Sequence, residues 1–238
     1  MEHTTFNEGL LEKASTMGVR FSVEQMDKFY KYMNLLIEWN EKMNLTRIIS
    51  PEDAAKKHFL DSVYASNYIP QNSRIVDVGA GGGFPSIPLK IYRPDLDITM
   101  LDSVGKKVDF LNECVNLLAL ENCRAIHARV EDFAREKDYR ENFDVCVSRA
   151  VASLNTLLEY CLPLVKPNGL FIAYKGSNAL EELAQAKNAL TKLGGTLEQT
   201  VEYSVVPDVK NYLLIFRKEG RTPNQFPRRN NLPRKQPL

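Results

Sequence analysis

The chain has 238 residues, with 44% apolar and 26% charged content and a net charge of +1. That length supports one sizeable core with a small appended region, and the balance excludes a disordered or fibrous chain. No apolar run approaches the ~20 residues of a bilayer span, and residues 1–5 lack the basic and apolar parts of a signal peptide. A cytoplasmic protein with no membrane partner is expected.

The first third reads as helix. Ser22 and Gln25 match a capping box, and Met26, Phe29, Tyr30, Met33, Leu36 and Ile37 then recur at helical spacing. Ser50-Pro51-Glu52-Asp53 is a second start signal, followed by Ala55, Phe59, Val63 and Tyr64 on one face. The pattern changes across the turn-rich stretch 68–74. Strands are predicted at 74–78, 97–101, 124–128, 143–148 and 170–174. Val104, Val108, Leu111, Val115 and Leu118 make a helical stripe between the second and third. A helix over 154–165, ended by Pro167-Asn168-Gly169, separates the fourth and fifth strands. Another over 179–193 stops at Gly194-Gly195, and strands near 196–205 and 212–217 close the domain as an antiparallel edge hairpin. Alternating β and α units imply an α/β fold: a doubly wound, mainly parallel, seven-stranded sheet of Rossmann-like type. The expected division is a helical cap over 1–67, a ligand-binding sheet domain over 68–218 and a basic tail over 219–238.

From Arg217 onward seven basic residues stand against Glu219 alone, so a near-neutral chain carries a basic end. Pro223, Pro227, Pro233 and Pro237, with few apolar residues between them, predict a tail without fixed structure when free. Cys114, Cys123, Cys146 and Cys161 form no C-x-x-C pair and lie in or beside apolar stretches, which suits buried free thiols. His3, His58 and His127 show no zinc-type spacing, so no metal is expected.

Asp77-Val78-Gly79-Ala80-Gly81-Gly82-Gly83-Phe84-Pro85 follows the first predicted strand. In a doubly wound sheet this turn lies at the topological switch point, where ligands bind. Gly79, Gly81 and Gly83 remove side chains where a nucleotide-like ligand can approach bare backbone. A tight turn with no ligand is the alternative. The third glycine comes one residue earlier than in the dinucleotide fingerprint, and Phe84-Pro85 follow it, which weakens the case for a pyrophosphate site. Asp102 ends the second strand, 23 residues after Gly79, and suits the two ribose hydroxyls. That position does not separate NAD from S-adenosylmethionine, and turn chemistry also explains an acid there.

The acid-x-Gly-x-Gly-x-Gly pattern resembles the first motif of S-adenosylmethionine-dependent methyltransferases. By that resemblance the amino-acid end of the cofactor lies near Asp77 and Gly79, and Ala128-Arg129-Val130-Glu131-Asp132 borders the adenine. Val130 would supply an apolar wall and a backbone N–H. Glu131 is either a contact or a helix-start acid. The fourth strand ends in Val147-Ser148-Arg149-Ala150-Val151, without the Asp/Asn-Pro-Pro-aromatic run of exocyclic-amine methyltransferases. Cys146, within the strand, suits a core position better than a thiolate nucleophile. No catalytic residue is assigned. An acceptor with an exposed lone pair, such as guanine N7, needs no general base and can react by proximity alone. Arg149 holds the cofactor or the guanine, or makes a surface salt bridge.

Several segments, in order, resemble one family over nearly the whole chain. They are Trp39-Asn40-Glu41-Lys42-Met43-Asn44-Leu45-Thr46, His58-Phe59-Leu60-Asp61-Ser62, the glycine turn, Asp102-Ser103, Ser148-Arg149-Ala150-Val151-Ala152 and Tyr174-Lys175-Gly176. The family is that of the small-subunit ribosomal RNA guanine-N7 methyltransferases, also called glucose-inhibited division protein B. The resemblance implies a class I methyltransferase domain and methyl transfer from S-adenosylmethionine to one guanine N7 of 16S ribosomal RNA, free or in the small ribosomal subunit. It implies cofactor contacts at Gly79, Phe84, Val130, Glu131 and Arg149, with Ser103 beside Asp102. His58 and Asp61, three apart on one helix face, line the transfer cleft or pin the helix onto the sheet. Lys175 meets RNA phosphate or guanine O6, or is simply solvated. The tail fits an RNA partner; a solubilising role is its alternative. The rival functions are a small-metabolite methyltransferase, an NAD-dependent dehydrogenase and a non-enzymatic RNA-binding module.

Overall fold

The computed structural model describes residues 10, 11 and 14–238; His3 and the start at residues 1–5 lie outside the described residues. Strands β1 (Arg74–Val78), β2 (Asp97–Asp102), β3 (Cys123–His127), β4 (Phe143–Arg149), β5 (Val165–Lys175), β6 (Gly195–Tyr203) and β7 (Asn211–Lys218) form one seven-stranded sheet, in the order β3-β2-β1-β4-β5-β7-β6. Pairs from β3 through β5 are parallel, and β7 runs antiparallel to β5 and β6. Side chains alternate across the sheet. Ile75, Val145, Val147 and Ile172 enter one apolar layer, and Val76, Val78, Cys146 and Phe171 the other. Burial on both faces is why the central strands read as near-continuous apolar runs. The strand order reverses at β1, opening a crevice beyond the carboxyl ends of β1 and β4.

Helix α1 (Val23–Lys42) starts at the expected capping box: the Gln25 N–H donates to Ser22 Oγ (3.2 Å) and the Ser22 N–H to Gln25 Oε1 (2.9 Å). It buries Met26, Phe29, Met33 and Leu36 as the stripe predicts, and also Tyr32, while Tyr30 and Ile37 stay half-buried. Helix α2 (Pro51–Ala54) begins at Ser50, whose Oγ accepts from the Asp53 N–H at 3.3 Å. It runs through a π-helical turn, Ala55–Leu60, into α3 (Asp61–Tyr64). Such turns recur at functional sites, and this one carries His58. Helices α4 (Ser86–Tyr92), α5 (Gly105–Leu117) and α6 (Val130–Phe133) follow β1, β2 and β3.

The helix expected over 154–165 is shorter. Helix α7 (Leu154–Cys161) passes through a 3-10 turn, Leu162–Leu164, and β5 begins at Val165. Pro167-Asn168-Gly169 bulges from that strand, and the register jumps from Phe143 opposite Val165 to Val145 opposite Leu170. Gly169 is required there, because a Cβ would lie 2.6 Å from the Asp144 carbonyl oxygen. The helix expected over 179–193 divides into α8 (Ala179–Gln185) and α9 (Lys187–Leu193).

The tail corrects the expectation of no fixed structure. It packs along α7 and ends in the short helix α10 (Leu232–Lys235). Glu159, fully buried, accepts from the Arg228 main-chain N–H and from its Nη2, each at 2.7 Å. Arg140 donates to the carbonyls of Thr222 and Phe226, both at 2.8 Å. The Thr156 hydroxyl donates to the Pro233 carbonyl and the Asn155 amide to the Leu238 carbonyl, each at 2.9 Å. Composition hides this docking because the body holds the tail largely by its main-chain carbonyls, and apolar content says little about those.

All four cysteines are free, and Cys114, Cys146 and Cys161 are buried. Among the described residues no cluster of His, Cys, Asp and Glu is placed to hold a metal ion. No described helix is long and apolar enough to cross a membrane.

Candidate active site

The crevice at the switch point holds a cavity of about 560 Å³. Residues 79–82 and Phe84 line it from the glycine turn, Asp102 and Ser103 from the end of β2, and Ala128, Val130 and Glu131 from the loop after β3. Arg149 and Val151 line it from the end of β4, and Thr46 and His58 from the helical cap. Further lining residues that were not singled out as site residues by sequence include Lys107 of α5, Tyr160 of α7, and Asn231 and Arg234 of the tail.

The glycines divide by cause. Gly79 has φ +78°, and a Cβ there would stand 2.5 Å from Val151 Cγ2. Gly83 has φ +88°, and its Cβ would meet the Tyr32 hydroxyl at 2.6 Å and Ile87 Cγ1 at 2.7 Å. Both positions exclude a side chain by conformation and by packing. The Tyr32 hydroxyl donates to the Gly82 carbonyl and ties α1 to the turn. The N–H groups of Gly79 (2.8 Å) and Ala80 (3.1 Å) donate to the Leu101 carbonyl, so the turn hangs on the end of β2.

Asp77 lies fully buried beside the turn. Its Oδ2 accepts from the Ser86 hydroxyl at 2.8 Å, while Oδ1 is buried with no hydrogen-bond partner. Burial pushes this carboxyl up to about 7, against the opposing effects of the Ser86 hydroxyl and Arg149. Asp102 is 7% exposed, with Oδ2 accepting from the Gly81 N–H and Oδ1 from the Val104 N–H, both at 2.9 Å. A carboxylate has about four lone-pair sites, so two remain for hydroxyl donors. Glu131 is buried at the cavity wall, and Val130 is half-buried beside it.

Arg149 does not make the surface salt bridge considered above; it joins a buried cluster. Its Nη1 donates to Asp61 Oδ2 at 2.7 Å, and the two side chains are 14% and 6% exposed. Its Nη2 lies 3.4 Å from His58 Nδ1, and its Cζ sits 4.9 Å over the Phe84 ring. His58 stacks on Phe84 with centroids 4.3 Å apart, and its Nε2 lies 2.7 Å from Thr46 Oγ1. An arginine only donates, which assigns Nδ1 as the acceptor and Nε2–H as the donor. Burial, then the Arg149 charge, hold the imidazole down at about 3, so it is neutral at physiological pH. Asp61 Oδ1 accepts from the Tyr203 hydroxyl at 2.7 Å. No hydrogen bond joins His58 to Asp61; each meets Arg149 separately. They therefore both pin the cap onto β4 and line cavities. Burial also drives the Cys146 thiol well above its ordinary range, in keeping with a core position.

A second cavity, of about 460 Å³, shares Arg149 and residues 150–151 with the first and is lined also by Asp61, Tyr174, Lys175, Tyr203 and Asn211. Lys175 is not solvated: its Nζ donates to the Ala152 carbonyl (2.9 Å) and Glu182 Oε2 (2.7 Å). Asn211 Oδ1 is buried without a partner.

The residues present fit S-adenosylmethionine. Of the expected contacts, Asp77 and Gly83 lie behind the turn and do not line the cavity; the unpaired, buried Asp77 Oδ1 still costs about 1–3 kcal/mol, which an ammonium group reaching it would remove. Asp102 has spare acceptors for a ribose. Gly81 (φ +57°) leaves the floor bare, its Cβ position meeting nothing closer than 3.8 Å.

Comparison with known proteins agrees. The family model described as rRNA small subunit methyltransferase G matches residues 25–208. The Ribosomal RNA small subunit methyltransferase G of Acetivibrio thermocellus is 46% identical over 231 residues, covering 96% of this chain and 95% of that protein. Its namesake from Halalkalibacterium halodurans is 44% identical over 241 residues, covering all of both chains. In fold the chain is similar to a predicted O-methyltransferase from Agrobacterium tumefaciens, with a TM-score of 0.54 and 16% identity over 69% of this chain and 81% of the other. These matches set aside the dehydrogenase and the non-enzymatic alternatives. The chain belongs to the rRNA small subunit methyltransferase G family.

Proposed function

We propose that the protein transfers the methyl group of S-adenosylmethionine to N7 of a guanine in 16S ribosomal RNA. One observation carries this reading: two cavities meet at a wall made by Arg149, Ala150 and Val151. The first suits the cofactor and the second a purine. When bound, the cofactor supplies a methyl group activated on a sulfonium. Guanine presents N–H donors at N1 and N2 and an acceptor at O6. In the second cavity Asp61 and the unpartnered Asn211 Oδ1 are acceptors, and Arg149 and Lys175 are donors.

N7 takes the methyl with its own lone pair, so no side chain need remove a proton. The absence of a base is consistent with a neutral His58 turned toward Thr46 and with thiols raised by burial. The task left to the protein is alignment, which supplies roughly 7–11 kcal/mol of barrier lowering in well-oriented systems. The exposed cations Arg221, Arg229 and Lys235 have no acidic partner among the described residues and would face RNA phosphates.

The test is transfer of labelled methyl to 16S RNA and to small subunits, followed by digestion and nucleoside identification. The label is expected in 7-methylguanosine. Label in another nucleoside overturns the N7 assignment, and transfer only to small metabolites overturns the RNA assignment.

A further inference from the structure

We propose that the C-terminal segment 231–238 is a working wall of the cofactor cleft, with Asn231 and Arg234 as binding residues at its adenine end. This inference rests on the S-adenosylmethionine reading above. The matched family model ends at residue 208, so nothing in that match assigns the tail a role.

The tail reaches the cleft through α7. Tyr160 of that helix is 3% exposed and lines the cavity, and its hydroxyl donates to Asn231 Oδ1 at 3.4 Å. Asn231 holds φ +58°, a conformation that asparagine tolerates better than most residues. Arg234 Nη2 donates to the Val151 carbonyl at 3.2 Å. Val151 is the residue whose side chain crowds Gly79, so the tail arginine steadies the wall over the glycine turn. Tyr160 also feels both the Glu131 carboxylate and the Arg234 cation, and its phenol is raised to about 12, by burial first. Glu131, Tyr160, Asn231 and Arg234 therefore share one end of the cavity. That is the end bordered by 128–131, where the adenine is expected.

The chemistry suits an adenine nucleoside. Its ring offers acceptor nitrogens and one amino donor. The Asn231 amide can both donate and accept, and a guanidinium donates and stacks. The docking is specific: Glu159 is fully buried beneath Arg228, and Thr156 holds Pro233 from a position that does not line the cleft. A tail that served only as a loose RNA arm would need neither anchor.

Calorimetric titration with S-adenosylhomocysteine tests this on the full chain. Arg234→Ala should raise Kd about 10-fold, the loss of one charge-assisted contact. Thr156→Val, which only loosens the tail, should raise it about 3-fold or more by the same reasoning. In turnover KM for S-adenosylmethionine should rise while kcat holds, a split that a merely structural role would not give. Wild-type affinity in both variants, or a loss confined to RNA binding, overturns the inference. Failure of the unaltered chain to bind S-adenosylhomocysteine overturns the cofactor reading instead.

Discussion

A single methyl group added at position 79 tests the floor of the cleft. At φ +78° an alanine costs about 1–2 kcal/mol more than glycine. The stiffer unfolded chain returns about 0.4–1 kcal/mol of that. The new Cβ would stand 2.5 Å from Val151 Cγ2, well inside the ~3.5–4.0 Å of ordinary carbon contact. Val151 yields poorly: it is β-branched, Arg234 holds its carbonyl at 3.2 Å, and Lys175 holds the next carbonyl at 2.9 Å. Overpacking of this kind costs about 1–3 kcal/mol. The net loss is about 1–5 kcal/mol, at roughly 2–4 °C of Tm per kcal/mol for a chain of this size. Moving the Val151 wall should also weaken S-adenosylhomocysteine binding by at least about 10-fold. Gly82→Ala is the control, since its Cβ meets only ordinary contacts at 3.6 Å and should change stability by less than about 1 kcal/mol. Thermal unfolding and calorimetry read both effects. A Gly79→Ala protein with the Tm and the S-adenosylhomocysteine affinity of the parent would refute the reasoning.

His58 is held at about 3 in the fold, against 6.5 when unfolded, so the folded form binds fewer protons between those values. Its contribution is fully present above pH 6.5 and is lost as pH falls toward 3; His58→Gln should flatten that loss in urea titrations, and an unchanged pH slope contradicts the assignment. Asp77 is opposite in sign: raised to about 7, it keeps its proton in the fold, and its effect lowers stability as pH rises from about 4 to 7. S-Adenosylhomocysteine should then bind more weakly below pH 7 and release a proton, seen as a buffer-dependent heat at pH 6 that Asp77→Asn abolishes; equal heats in buffers of different ionisation enthalpy would count against the ammonium contact. Arg149→Met should cost about 3–5 kcal/mol by stranding Asp61, and Asp61→Asn in the same chain should recover part of it. Simple additivity of the two changes would argue that the pair is not coupled.

The sheet was legible because its central strands are buried on both faces, and the glycine turn because bare backbone cannot be disguised. Asp102 followed from its place at the end of a strand. The π-helical turn carries no periodicity of its own and could not be read. Arg149 and Asp61 are 88 positions apart, so their pairing exists only once the cap has docked. Lys175 was open to a solvated reading because Glu182 meets it across a loop. Tyr32 lay outside the helical stripe, yet its hydroxyl reaches the glycine turn. The tail misled because proline and charge speak for the free chain, whereas here Glu159, Arg140 and Thr156 hold main-chain groups that every sequence possesses.

The most direct measurement is a crystal structure of the chain soaked with S-adenosylhomocysteine. The ligand should lie over residues 79–82, with its ribose hydroxyls on Asp102 and its adenine between Val130 and Arg234, and its ammonium should be turned toward the unpaired Oδ1 of Asp77 behind the turn. Density for the ligand elsewhere, or an empty crevice at saturating concentration, would contradict the account.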